Sequence, residues 1–332
     1  MPYNDAHLPA VLRGLRLPLI ASPLFIISVP ELVIAQCKAG IVGSFPALNA
    51  READGEPPLL KAWLNQITEE LDRHNQANPD RPAAPFAVNQ IVHRSNGRLE
   101  RDLEICAQHG VKIWITSLGA RAEVNEAAHS CGGIVLHDVI NDRFARKAIS
   151  KGADGLIAVA AGAGGHAGHQ SPFALIREIR QWFDGPLALS GAIARGESLL
   201  AARALGADFG YAGSPFIATK EANAQAAYKA MIVGGTADDI VTSTLFTGVS
   251  GNYLKPSVVA AGMDPDNLAE AGKETMNFSD GASKAKVWKE IWGSGQGIGA
   301  VDAVTDVASL VNRIDREYNA AGQRLAAEFN GQ

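Results

Sequence analysis

The stretch CAQHGVKIWITS, residues 106–117, decides how the rest of the chain is read. It begins as the end of an amphipathic helix, closes on a glycine, and turns at once into an apolar run rich in β-branched residues. A glycine directly after a helix suits a left-handed cap, and an apolar run without polar alternation suits a strand buried on both faces. The same punctuation returns as AQCKAGIVGSF at 35–45, AAHSCGGIVLHD at 127–138, AISKGADGLIAV at 148–159 and ARALGADFGYAGS at 202–214. Helices alternating with doubly buried strands make βαβ units and a parallel sheet.

Eight strands are expected, near 17–22, 41–45, 86–91, 111–117, 133–137, 155–160, 186–190 and 208–213. The intervals leave room for one helix each, which predicts a (β/α)8 TIM barrel. A doubly wound sheet is the competing arrangement. It would be favoured by a GxGxxG turn after the first strand, but that strand runs LPLIASPLFIIS (17–28), without glycine. Residues 219–290 break the rhythm, with helical patches and turn clusters, and read as a small, mainly helical cap inserted after strand eight. The domain expectation is therefore a barrel from 1–218 and 291–332 with a substrate-shaping cap at 219–290, where Phe246 and Tyr253 either line the pocket or pack the cap on the barrel.

The totals limit the function. The 332 residues are 47% hydrophobic with a net charge of −5, enough for a large core and without a basic footprint for nucleic acid or membrane lipid. Cys37, Cys106 and Cys131 form no CxxC pair and read as small buried hydrophobes in a reducing compartment. No stretch has transmembrane length, and MPYNDAHLPAVLRG lacks a signal-peptide pattern, so a soluble cytoplasmic protein is expected.

In such barrels chemistry sits where strands end, and phosphate often binds after strands seven and eight. Those turns read LALSGAIARGES and GYAGSPFIATKE, placing Gly191 and Ala192, then Gly213 and Ser214, where backbone N–H groups can approach an anion. Short turns use glycine anyway, but two such loops at the two expected strands point to a phosphate. Strand six ends in AGAGGHAG (161–168), whose glycines let backbone lie flat against a planar ligand and whose His166 projects into the mouth. An imidazole there can take and return a substrate proton; an exposed loop histidine is the plainer reading. His169 reads as solvated or helix-capping and His137 as satisfied near the core. His137, Asp138, His166 and His169 lack metal-ligand spacing, so no metal is expected.

AGAGGHAG (161–168), ALSGAIARG (188–196) and LGADFGYAGSPFIAT (205–219), with FAVNQ (86–90), GVKIWITSLG (110–119) and GSGQGIG (293–299), resemble the nitronate monooxygenases, formerly 2-nitropropane dioxygenases. These are FMN-dependent TIM barrels related to enoyl reductases of the FabK type. The resemblance implies a catalytic histidine at His166 and flavin-adjacent backbone at Gly164 and Gly165. It implies a phosphate cradle from Ser190, Gly191, Ala192, Gly213 and Ser214. Asn89, Ser117 and Asp138 at strand ends, Ser22, Pro23 and Leu24 after strand one, and Gln296 in the returning segment would border the cofactor. Asp138 stands where the family pattern has a lysine, Ala192 where a second glycine is usual, and Pro215 where an arginine is usual. Ala192 would be tolerable if its φ stays negative.

The implied reaction is oxidation of alkyl nitronates or nitroalkanes by O2 to a carbonyl compound and nitrite. An NAD(P)H-dependent FMN reductase of quinones or enoyl thioesters is the alternative, and would take NAD(P)H as partner. A non-redox phosphate-binding barrel would want a Schiff-base lysine or paired carboxylates at strand ends, and Lys112 lies at the start of strand four. Exposed aromatics on the cap could support a homodimer.

Overall fold

The computed structural model describes residues 5–51, 59–268, 290–329 and 331. Eight parallel strands form one sheet: β1 (Leu19–Ala21), β2 (Gly43–Pro46), β3 (Phe86–Ile91), β4 (Ile113–Ser117), β5 (Ile134–Val139), β6 (Gly155–Val159), β8 (Leu187–Ser190) and β9 (Phe209–Ala212). The strand order β1-β9-β8-β6-β5-β4-β3-β2 leaves β1 and β2 at the two ends. These ends meet: Ala21 N–H donates to Val42 O at 2.8 Å and Val42 N–H to Leu19 O at 3.2 Å, so the sheet closes into a (β/α)8 barrel. Every strand predicted from the sequence is present.

Alternation along the strands separates two apolar layers. Ile20, Val42, Ala87, Ile113, Ile115, Leu136, Ile157, Ala188 and Phe209 fill the barrel, while Leu19, Phe45, Val88, Trp114, Val135, Leu156 and Leu189 pack outward on the helices. Both faces being buried explains why each strand reads as an unbroken apolar run. Leu8 and Leu12, beside a 3-10 turn at Ala10–Leu12, close the N-terminal end of the barrel. Cys37 and Cys106 are buried free thiols; burial pushes Cys37 up to about 12, so it packs rather than reacts.

The intervening helices are α1 (Pro30–Lys38), α2 (Leu59–Ala77), α3 (Leu99–Gln108), α4 (Ala122–Ser130), α5 (Asp142–Ser150), α6 (Pro172–Arg180) and α7 (Gly196–Leu205). The five glycines read as left-handed caps, Gly40, Gly110, Gly132, Gly152 and Gly206, have φ between +65° and +110°. A short α8 (Ser214–Ile217) follows β9, and α11 (Val307–Phe329) ends the fold against α7.

Between them lies the inserted segment, of which residues 269–289 fall outside the described residues. It carries α9 (Ala226–Gly234) and α10 (Lys255–Ala260), and also a ribbon that the turn-rich sequence hides: β10 (Ile240–Ser243) antiparallel to β11 (Gly251–Leu254). The other edge of β11 pairs with β7 (Gly165–His166), a two-residue strand inside the glycine loop. Tyr228 stacks on Trp292 at 4.7 Å, holding the segment to the returning chain, and Phe246 meets Tyr253 edge-on within the segment.

Gly110 has φ +65° and open space where a Cβ would go, so Gly110→Ala tests backbone strain alone. It is expected to cost about 1 kcal/mol in denaturant unfolding, whereas Gly322→Ala inside α11, also uncrowded, should gain about as much.

Candidate active site

The parity that buries Ile115 and Leu136 inside the barrel also turns Asn89, Ser117, Asp138, Ser190 and Tyr211 inward at the strands' C-terminal ends. A hydrogen-bonded chain crosses this floor. Asn89 Nδ2 donates to Ser117 Oγ at 2.8 Å, and Ser117 Oγ donates to Asp138 Oδ2 at 2.8 Å. Tyr211 lies beside it, hydrogen-bonded to Ser22, its phenol pushed well up by burial and by the nearby Asp138. Burial pushes the Asp138 carboxyl up to about 7, against the opposing effect of Ser117. At neutral pH the floor therefore carries at most a fraction of a charge.

Above it the predicted loops converge. Gly162 O accepts from Ala192 N at 3.3 Å and from Gln296 N at 2.9 Å, tying the strand-six loop to the strand-seven turn and to the returning segment. A Cβ on Gly164 would lie 2.6 Å from Gly295 N, and one on Gly191 would lie 2.9 Å from Ala161 O, so these contacts require glycine. Ser214 Oγ accepts from Gly295 N at 2.9 Å and from Ser294 Oγ at 3.0 Å, leaving its own proton to donate elsewhere. Ser22, Pro23 and Leu24 lie half-buried, and Leu24 packs 3.1 Å from where a Gly213 Cβ would stand. Asn49 holds that turn by donating to Leu24 O and Ser28 O, both at 2.9 Å.

The anion-binding capacity lies in the backbone. Among the described residues, the N–H groups of Gly191, Gly213 and Ser214 make no hydrogen bond. The start of the helix that follows is taken by the protein itself: Gly196 N, at the start of α7, donates to Glu317 Oε2 at 2.9 Å, and Arg195 binds the same carboxylate at 2.7 Å. Ala192 differs from its expected conformation as well, with φ +54° rather than negative. Alanine holds this left-handed conformation at a cost of about 1 kcal/mol.

His166 stands on β7 with its Nε2 buried and without a partner among the described residues. Burial moves its pKa below the ordinary imidazole value, so the ring is neutral at pH 7. His137 points the other way, outward, with Nδ1 2.6 Å from Thr116 Oγ1. Burial, with Lys147 nearby, lowers it to about 4, and it belongs to the packing between sheet and helices. Sequence reading missed Tyr211, although its place two residues before Gly213 on an inward-facing parity marks it. Asn252 was missed with the ribbon that carries it.

The fold is a (β/α)8 barrel whose candidate site lies at the C-terminal mouth. The chain belongs to the nitronate monooxygenase family, whose model matches residues 11–317, and it is an oxidoreductase. A nitronate monooxygenase of Paraburkholderia phytofirmans is 25% identical over 360 residues, covering 95% of each chain. Other curated relatives match over 50% to 65% of their own length. Two solved structures share the fold. FabK of Thermotoga maritima has a TM-score of 0.78 and 21% identity, over 99% of both chains. A nitroalkane oxidase of Streptomyces ansochromogenes has a TM-score of 0.75 and 21% identity, over 96% of this chain and all of that one.

Because the folded chain keeps a proton on Asp138 that the unfolded chain has lost, stability falls as pH rises from 3.8 to about 7 and stays low above. Asp138→Asn keeps an acceptor for Ser117 and removes this dependence. Its melting temperature should exceed wild type by more at pH 8 than at pH 5, by about 2–4 °C for each kcal/mol of linkage. An equal gain at both pH values would show that Asp138 titrates normally.

Proposed function

We propose that this protein is an FMN-dependent oxidoreductase that oxidises alkyl nitronates and nitroalkanes with O2, giving a carbonyl compound and nitrite. The observation that carries the reading is a neutral, partnerless His166 Nε2 on a glycine loop at the barrel mouth, near unclaimed backbone donors. The likeness to the Paraburkholderia nitronate monooxygenase along nearly the whole chain supports the reaction.

The donor set fits FMN. The N–H groups of Gly191, Gly213 and Ser214, with the Ser190 and Ser214 hydroxyls, would hold its phosphate through neutral groups, and Ala192 shapes the turn. Gly164 and Gly165 would allow the ring to lie on backbone, with Asn89, Ser117 and Asp138 toward its polar edges. Ser22, Pro23, Leu24 and Gln296 would close the sides. When bound, the flavin supplies the electron transfer between substrate and O2.

The chain's own part is proton handling and orientation. A neutral nitroalkane must lose the proton next to its nitro group, and Nε2 of neutral His166 is the acceptor. The burial that lowers the imidazole pKa makes it a modest base that returns the proton readily, which suffices for so acidic a carbon. The Ser117–Asp138 pair, only partly ionised at neutral pH, repels an anionic nitronate less than an ordinary carboxylate would.

A purified protein with a flavin absorption band, bleached anaerobically by a nitronate and not by NADH, is the expected result. Bleaching by NADH would instead assign an NAD(P)H-dependent reductase of quinones or enoyl thioesters, and a colourless protein that takes up no FMN would remove the flavin reading. His166→Asn should retain flavin yet lose about 100-fold or more in turnover of neutral nitroalkanes, with a smaller loss on preformed nitronates.

A further inference from the structure

The loop that carries His166 has little in its own sequence to fix it. Gly162, Gly164 and Gly165 lie within four residues, and Gly165 has φ +65° with nothing near where a Cβ would stand. Its position is set from outside, by backbone bonds from Ala192 and Gln296 to Gly162 O and from Ala167 N to Ser250 O, and by one buried side chain of the inserted segment. Asn252, only 3% exposed, donates from Nδ2 to Ala163 O at 2.7 Å. Its Oδ1 accepts from Thr242 Oγ1, its carbonyl accepts from Ser294 N at 3.1 Å, and it stands opposite Gly165 in the ladder of β11 and β7. The amide has one satisfied orientation. Turned over, Oδ1 would face the Ala163 carbonyl, acceptor against acceptor.

We propose that Asn252 is the positioning residue for His166: its amide pins the Ala163 carbonyl, and the ribbon thereby delivers the imidazole to one place at the mouth. The inserted segment acts on the chemistry through this contact. The inference rests on the functional reading of His166, and the test separates the two.

Asn252→Ala is expected to lower kcat on neutral nitroalkanes about 10-fold with KM and flavin content within about twofold of wild type, since loss of alignment alone costs rate. In a His166→Asn background the same substitution should cost nothing further, because it acts through the missing ring. Histidine 15N NMR, with the His166 signal assigned by its loss in His166→Asn, gives a readout independent of turnover. The His166 midpoint, low in wild type, should rise toward the ordinary value in Asn252→Ala as the loop loosens. Thr242→Val, which leaves Asn252 in place but frees its amide to turn, should shift it the same way by less, and serves if Asn252→Ala does not fold. An equal loss of kcat in both backgrounds, or an unmoved His166 midpoint, overturns the proposal. If His166→Asn leaves turnover intact, the functional reading falls, and the titration still decides whether Asn252 positions the ring.

Discussion

The seam between β1 and β2 is the constraint on which the site depends. Two backbone hydrogen bonds around Val42 join the ends of a sheet that would otherwise lie open. With the ring closed, the turns after β1, β6, β8 and β9 surround one mouth, although they are separated by up to about 190 residues of chain. An open sheet with the same strands would leave the Ser22 turn and the Ala192 turn on a long edge, and no small ligand could touch both. The inward layer beneath, from Ile20 round to Phe209, fills the barrel and leaves only its upper rim for polar groups.

Charge is nearly absent from that rim. The unclaimed N–H groups proposed to hold an anion belong to the backbone, burial raises the carboxyl on the floor to about 7, and the histidine is an uncharged ring. Arg195, three residues past Ala192, and Arg313 are engaged with Glu317 and Asp302 behind the strand-seven turn. Fixed dipoles cost no reorganisation when charge appears on a ligand.

Much of this was legible in the sequence because it depends on short local signals. Glycine after a helix and an apolar run after the glycine marked five of the eight barrel strands, the other three showed as apolar runs alone, and the loops that follow the strands gave the candidate site. The parts that were not legible depend on contacts between distant segments. The composition around Ala192 is compatible with either sign of φ, and only the packing of Gly162, Gly297 and Gln296 on that turn selects the left-handed one. The start of α7 looks like an anion site until Glu317, 121 residues on, is seen to occupy it. The β10–β11 ribbon was hidden because IVTS and GNYL are short and separated by a turn-rich stretch. Their partner, Gly165–His166, is too short to read as a strand at all.

The placement of Glu317 has a bearing on biosynthesis. The strand-seven turn is braced by a helix whose Glu317 comes 121 residues after Gly196, and Gly295 and Gln296 also emerge well after the turn. A nascent chain can close its barrel strands while the mouth still lacks one wall. A premature stop before α11 would leave the strand-seven turn without that brace, with Arg195 and Gly196 N both stripped of their carboxylate.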